Sequence, residues 1–193
     1  SVAALTFDNV GSIADYGAAQ QIALDWLYNK IFATNLPSSS LSGVSGTSLV
    51  SPTITTTLPV GAYGIFTYNG FVTRIIVPNG GGTNTVSIYD TDGNLLATLT
   101  GFDGPSNVAQ SNVLAGYPGP AYVTNVNGDS VTVIDIDNNT VAGTISVGGG
   151  PIGIATNTQG TEVYVANSTG DSVSVIDSAN QAVAATIPVT GPN

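Results

Sequence analysis

Few residues in this chain could do chemistry. Its 193 residues include 12 Asp+Glu and 2 Lys+Arg, with no His and no Cys. What remains is carboxylates, Tyr, Ser/Thr, Lys30 and Arg74. Two carboxylates facing one bond can hydrolyse a glycoside, one as acid and the other as base or nucleophile. The pairs by spacing are Asp90 with Asp92, and Asp135 with Asp137. Both lie in turn-like runs, Asp90-Thr91-Asp92-Gly93-Asn94 and Asp135-Ile136-Asp137-Asn138-Asn139. Asp and Asn bond their own backbone in such runs, and Gly supplies positive φ. The turn reading is therefore favoured over the catalytic one. Asp90, Asp92 and Asn94 also have the spacing of half a calcium loop. An EF-hand needs a distal bidentate Glu, and the one Glu, Glu162, is far away in sequence. These three residues are a candidate Ca²⁺ site, weighed against a plain turn.

The missing residue types exclude whole classes of activity. Without Cys or His there is no Cys/His zinc site, no disulfide framework and no Ser-His-Asp or Cys-His catalysis. Two cations cannot build a phosphate-neutralising surface, so nucleic acid is not an expected partner. Gly80-Gly81-Gly82 and Gly148-Gly149-Gly150 are not phosphate loops, because no Gly-Lys-Ser/Thr follows either. No cofactor is expected, and the chain reads as non-enzymatic. Asn138-Asn139-Thr140 and Asn167-Ser168-Thr169 are glycosylation sequons, making Asn138 and Asn167 candidate acceptors in an exported protein. Tyr63, Phe66, Tyr68 and Phe71 alternate imperfectly, and core packing is preferred to a sugar-stacking platform.

No apolar run reaches the ~18 residues of a membrane span. No basic segment followed by an apolar one opens the chain, so no signal peptide is visible. Ser1 fits removal of either an initiator Met or a signal peptide. Charged residues are 7% of the chain, against roughly 25% in an average soluble domain. Ser, Thr, Asn and Gly fill the polar quota instead. Such an uncharged hydroxyl and amide surface suits an exposed structural or adhesive protein.

The elements that must position these residues fall into three zones. Residues 1–36 read as an arm followed by a helix from Ile13 to about Thr34, with Ser12 as N-cap and Asn35-Leu36-Pro37 as the stop. Gln21, Asp25 and Asn29 make one polar stripe. Ile22, Trp26, Leu27, Ile31 and Phe32 belong to an apolar arc wider than the ~100° of a surface helix. The expectation is an oligomerisation helix, with capping of the chain's own β region as the alternative. Residues 37–48 read as a Ser/Gly linker. Residues 49–193 read as short strands in units of about 65–110, 121–150 and 151–193.

Internal repetition is the strongest signal. Tyr122–Val147 and Tyr164–Val189 align without a gap at an offset of 42, with 16 of 26 positions identical. Asp137 becomes Ala179 in the second copy, as a turn position allows. A weaker earlier copy places Thr85–Asp90 on Ser130–Asp135 and Phe71-Val72-Thr73 on Tyr122-Val123-Thr124. Gly153-Ile154-Ala155 is available as a fourth strand. A repeat of ~40–45 residues with four strands is the signature of a propeller blade.

Tyr122-Val123-Thr124-Asn125, the following Gly-Asp-Ser-Val-x-Val-Ile-Asp and the later Val-Gly-x-x-Pro-x-Gly-Ile-Ala resemble the YVTN β-propeller repeat family. The resemblance covers 121–193 clearly and 65–110 weakly. It implies a propeller-like fold and an extracellular structural or binding role, as in surface-layer-like proteins, and it carries no catalytic residues. Propellers close with typically 4–8 blades, so further blades come from other subunits, or the chain is a fragment of a longer product, or the repeats form another β assembly such as a sandwich or an elongated fibre; all three favour assembly over a solitary chain. The expected fold is mainly β, with antiparallel blade-like repeats (a partial β-propeller or β-sandwich-like) after one N-terminal helix. The expected function is a structural or adhesive subunit of an exposed assembly, either a virion fibre or decoration protein or a cell-surface filament or layer protein. Its partners are copies of itself and other subunits, with glycans as further ligands. The alternative is an extracellular propeller that binds a glycan or protein.

Overall fold

The computed structural model describes residues 18–25, 30–36, 40–45, 54–57, 66–68, 74–112 and 118–189. The described chain is mainly β, with four antiparallel four-stranded sheets and no helix among the described residues. Sheet 1 holds β1 (Ala18–Asp25), β2 (Lys30–Leu36), β3 (Ser40–Ser45) and β4 (Ile54–Thr57). Sheet 2 holds β5 (Phe66–Tyr68), β6 (Arg74–Asn79), β7 (Thr85–Tyr89) and β8 (Leu95–Leu99). Sheet 3 holds β9 (Pro105–Asn112), β10 (Pro118–Asn125), β11 (Ser130–Asp135) and β12 (Thr140–Ser146). Sheet 4 holds β13 (Pro151–Thr156), β14 (Glu162–Asn167), β15 (Ser172–Asp177) and β16 (Ala182–Pro188). Each sheet is a simple meander in chain order.

The expected N-terminal helix is replaced by strands. Ala18–Asp25 pairs antiparallel with Lys30–Leu36, with Ile22 opposite Ala33, Ala23 opposite Phe32 and Leu24 opposite Ile31. Ile22, Ile31 and Phe32 therefore sit in a sheet and not on a helix face, while Trp26 and Leu27 lie outside the described residues. The physical reason is that a short, nearly continuous apolar run has no period that separates a buried strand from a buried helix. Ile31, Phe32 and Thr34 are the β-branched and aromatic types that pleated surfaces favour. The expected linker also contains a strand, since Ser40–Ser45 pairs with β2 on one side and β4 on the other. Residues 105–110, read with the first unit, belong to the leading strand of sheet 3, Pro105–Asn112.

Sheets 2, 3 and 4 repeat one another in detail. A register shift falls between Ile88 and Tyr89 in sheet 2, between Val133 and Ile134 in sheet 3, and between Val175 and Ile176 in sheet 4. A bulge at a fixed place adds the same local twist to each sheet. Pairing also corrects the alignment of the early copy. Asn79 pairs with Thr85 as Asn125 pairs with Ser130 and Asn167 with Ser172. The structural counterpart of Tyr122–Asn125 is thus Ile76–Asn79, and not the run beginning at Phe71.

The inner strands carry consecutive apolar residues, such as Ile75-Ile76-Val77 and Ala121-Tyr122-Val123, which point to both faces of a sheet, and burial comes from stacking one sheet on the next. Ile76, Val86 and Ile88 of sheet 2 pack with Ala121, Val123 and Ile134 of sheet 3. Tyr122, Val131, Val133 and Ile145 on the other face of sheet 3 pack with Val163, Val165 and Ile176 of sheet 4. Leading strands meet leading strands in chain order, β1 beside β5, β5 and β6 beside β9, and β9 and β10 beside β13. No comparable packing joins sheet 1 to sheet 4 among the described residues.

Candidate functional site

The recurrent carboxylates build turns. Asp90 Oδ1 accepts from the backbone N–H of Asp92 at 2.9 Å and of Asn94 at 2.8 Å, and its Oδ2 accepts from Asn94 Nδ2 at 2.8 Å. Asp135 accepts from the Asn138 N–H at 3.1 Å and from Asn138 Nδ2 at 2.8 Å. Asp177 accepts from the N–H groups of Ala179 at 2.8 Å and Asn180 at 3.1 Å, and from Asn180 Nδ2 at 2.7 Å. A carboxylate accepting several N–H bonds is favoured in its charged form. The Asn138 side chain and backbone hold Asp135 below the ordinary carboxylate range. Backbone and side chain of Asn180 do the same for Asp177. Burial pushes Asp90 up, yet the Asn94 and Asp92 bonds and the Arg74 charge together bring it below its ordinary value. A catalytic acid needs the opposite shift, a raised pKa.

The candidate cation residues Asp90, Asp92 and Asn94 share this one turn, which Gly93 completes at φ 85°. Both Asp90 oxygens already take N–H donors, and the Asn94 amide presents its nitrogen to Asp90. Among the described residues no three His, Cys, Asp or Glu side chains gather as a metal site. The candidate glycan acceptors differ from each other. Asn138 is at the surface, whereas Asn167 is 3% exposed, so the folded chain does not offer its nitrogen to solvent.

That buried Asn belongs to a recurrent device that the motif alone did not reveal. Asn79 Nδ2 donates to Thr85 and Ser87 hydroxyls at 3.2 and 3.0 Å. Asn125 Nδ2 donates to Ser130 and Thr132 at 3.1 and 2.8 Å, and Asn167 Nδ2 to Ser172 and Ser174 at 3.1 and 2.9 Å. Each amide clamps the first two inward hydroxyls of the next strand. The signal in the sequence was an Asn followed five and seven residues later by Ser or Thr in both late copies. Asp129 adds a link between sheets, its Oδ1 accepting from the Gly150 N–H at 2.9 Å.

One cleft of about 590 Å³ lies where sheets 3 and 4 meet, lined by Ser111, Pro120, Thr161, Glu162, Ser178 and Ala184, among others. The Ser178 hydroxyl lines the cleft and lies beside the buried Tyr122 phenol. Burial pushes the Tyr122 phenol up. Glu162 faces Asp177 across β14 and β15 and accepts from Tyr164 OH at 2.6 Å.

The far face of sheet 4 is partly exposed, at Tyr164 and Ile187, while Val175 between them is buried. Tyr164, Val173, Val175 and Ile187 occupy the positions that Tyr122, Val131, Val133 and Ile145 hold in sheet 3. Cross-strand pairing puts Tyr164 opposite Val175, Ala166 opposite Val173, and Val173 opposite Ile187 on that face. Tyr122 is 0% exposed and Tyr164 37%; Ile145 is 7% exposed and Ile187 50%. Val189 beyond it is also exposed.

No family model and no curated protein matches the sequence. Solved structures resemble its fold. The chain superposes on Kuenenia stuttgartiensis hydrazine synthase with a TM-score of 0.76 at 18% identity, covering 95% of this chain and 52% of that one. A functionally unknown protein from Desulfotomaculum acetoxidans gives 0.76 at 12% identity, over 90% of this chain and 57% of that one. U3-55K gives 0.71 at 12% identity, over 86% and 48%. The chain spans about half the length of these structures, and at such identities the likeness is one of fold.

Proposed function

We propose that the chain is a section of a β-propeller of the YVTN repeat type and serves as a non-enzymatic structural or adhesive subunit of an exposed assembly, at a virion or cell surface. The observation that carries this reading is the engagement of Asp90, Asp135 and Asp177 by their own turns. The groups best placed by type for hydrolysis serve the fold, once per repeat, and the repeat itself is the product. Identical bulges and Asn clamps in three successive sheets support the blade reading. The Ser, Thr and Asn exterior offers hydroxyl and amide groups that suit adhesion to polar surfaces. Retention on immobilised polysaccharides and whole cells tests the proposal. Retention without release of new reducing ends is expected. Release of reducing ends that disappears in Asp90→Asn or Asp135→Asn would contradict it.

The cleft between sheets 3 and 4 favours a second reading, a propeller that binds a glycan or protein partner. Its volume of about 590 Å³ and its polar lining by Ser111, Glu162, Asp177 and Ser178 are the supporting feature. Ala179→Trp, at an exposed position on the rim, should abolish retention if the cleft is the site and leave it intact if the exterior is.

A further inference from the structure

The gap between sheets 2 and 3 and the gap between sheets 3 and 4 can be compared at one end, beside the Asp turns. Ile76–Asn79 is the counterpart of Tyr122–Asn125, so Arg74 and Pro120 hold equivalent places two residues earlier. Asn139 and Gln181 are equivalent as well, at the repeat offset of 42 and at φ 54° and 50°. Between sheets 2 and 3, Arg74 reaches across from β6, and its Nε donates to Asn139 Oδ1 at 3.4 Å. Between sheets 3 and 4, Pro120 has no side chain long enough to do the same, and it lines the cleft of about 590 Å³. The chain itself thus shows what kind of group spans such a gap, namely a cation on an aliphatic stem.

The walls of the cleft suit that group. Pro120, Ala179 and Ala184 are short and apolar, and none of the described lining residues is aromatic, so a sugar ring finds no stacking surface. An arginine stem covers apolar walls of this kind while its charged head seeks polar partners. Glu162 and Asp177 line the same cleft and are direct cross-strand partners; like charges so placed repel each other. Tyr122, on the face of sheet 3 that meets sheet 4, has its phenol pushed up by burial and then by the Asp177 charge, so this carboxylate acts on the cleft side. Glu162 accepts from Tyr164 OH at 2.6 Å and Asp177 from Asn180 Nδ2 at 2.7 Å, yet an ionised carboxylate offers about four lone-pair sites. The two cations of the chain, Lys30 and Arg74, lie on β2 and β6, and neither strand lines the cleft. A formal net charge of −10 draws cationic partners from a distance.

Resting on the second reading above and narrowing it, we propose that the cleft between sheets 3 and 4 docks an arginine side chain of a basic protein partner, in the manner of Arg74 between sheets 2 and 3. The stem lies along Pro120 and Ala184, and the guanidinium takes lone pairs of Glu162 and Asp177 that the turns leave open. Fluorescence anisotropy of a labelled peptide of alternating Arg and Gly tests this. Binding is expected, and a peptide of alternating Lys and Gly should bind more weakly, because an ammonium lacks the planar fork of donors. Pro120→Arg supplies the spanning side chain from within the chain, and Glu162→Gln removes a carboxylate; each should weaken binding about tenfold or more. Asp137→Asn removes the same charge from an exposed turn outside the cleft and should change binding less than about twofold. Far-UV circular dichroism checks each fold, and Glu162→Gln carries the test alone if Pro120→Arg does not fold. Absence of peptide binding would overturn the proposal, as would full binding by both cleft variants or equal affinity for the Lys peptide. An equal loss in Asp137→Asn would overturn it too, since net charge alone would then explain the attraction. Retention on polysaccharide that Ala179→Trp abolishes, without peptide binding, would overturn the arginine ligand and leave the cleft as a glycan site. Retention untouched by Ala179→Trp, again without peptide binding, would overturn both.

Discussion

Sheets 3 and 4 are near-duplicates in sequence with different surroundings. Their second strands read Tyr-Val-Thr-Asn and Tyr-Val-Ala-Asn, their bulges coincide, and their Asn clamps make the same pair of bonds. Yet Tyr122 is buried under a neighbour while Tyr164 faces outward and bonds Glu162. Local sequence sets the shape of each sheet, and the stacking partner sets how much of it leaves water. Stability in a repeat protein is the sum of repeat and nearest-neighbour terms, so equivalent residues should differ in cost by their interface alone.

The largest expected effect breaks the comparison at its centre. Tyr122→Ala should cost about 3–5 kcal/mol, the range for emptying a buried aromatic site. Tyr164→Ala, measured in dilute protein by urea denaturation, should cost below about 1 kcal/mol. Equal costs would mean that the two faces are equally covered. Next in size, Ile176→Ala removes a side chain buried between the sheets and should cost about 2–5 kcal/mol, whereas Ile187→Ala in dilute protein should stay below about 1 kcal/mol.

A smaller effect should sharpen the likeness instead of the difference. Asn125→Ala and Asn167→Ala each remove two hydrogen bonds from buried hydroxyls, and both should cost about 1–3 kcal/mol. Here the two sheets should behave alike, because the clamp lies inside each sheet. A large disparity in denaturation midpoint would show that the clamp depends on the neighbour.

The smallest effect concerns pH. Asp90, Asp135 and Asp177 have folded pKa values below their unfolded ones. Such groups add stability above the unfolded value and lose it as pH falls through the folded one. Denaturation midpoints should therefore be flat from pH 7 to about 5 and decline below about pH 4. All three carboxylates sit in surface turns where solvent screens them, so the decline should be modest. Asp135→Asn should flatten it slightly, and an unchanged profile would remove the turn from the ledger of acid sensitivity.

Much of sheets 3 and 4 was legible because their strands alternate cleanly and their turns carry Asp, Asn and Gly where positive φ is needed. Asp129 and Asp171, at φ 46° and 42°, close equivalent turns in the two copies. The Asp turns were read correctly from composition, since short-range bonding is written locally. The Asn clamp was hidden, because its partners are defined by strand pairing and not by adjacency. Sheet 1 was misread because Ala-rich apolar runs such as Ala18–Asp25 satisfy helix and strand alike, and only pairing with Lys30–Leu36 decides between them. The exposure of Tyr164 was invisible for a related reason. Tyr164 and Tyr122 look identical in the motif until a neighbour is present or absent.

The most direct measurement is hydroxyl-radical footprinting of Tyr122, Tyr164, Ile145 and Ile187 in dilute protein. Tyr122 and Ile145 should be protected while Tyr164 and Ile187 react, because the stacking neighbour alone separates the two copies. Equal reactivity within each pair would contradict the account by showing that the two sheets are covered alike.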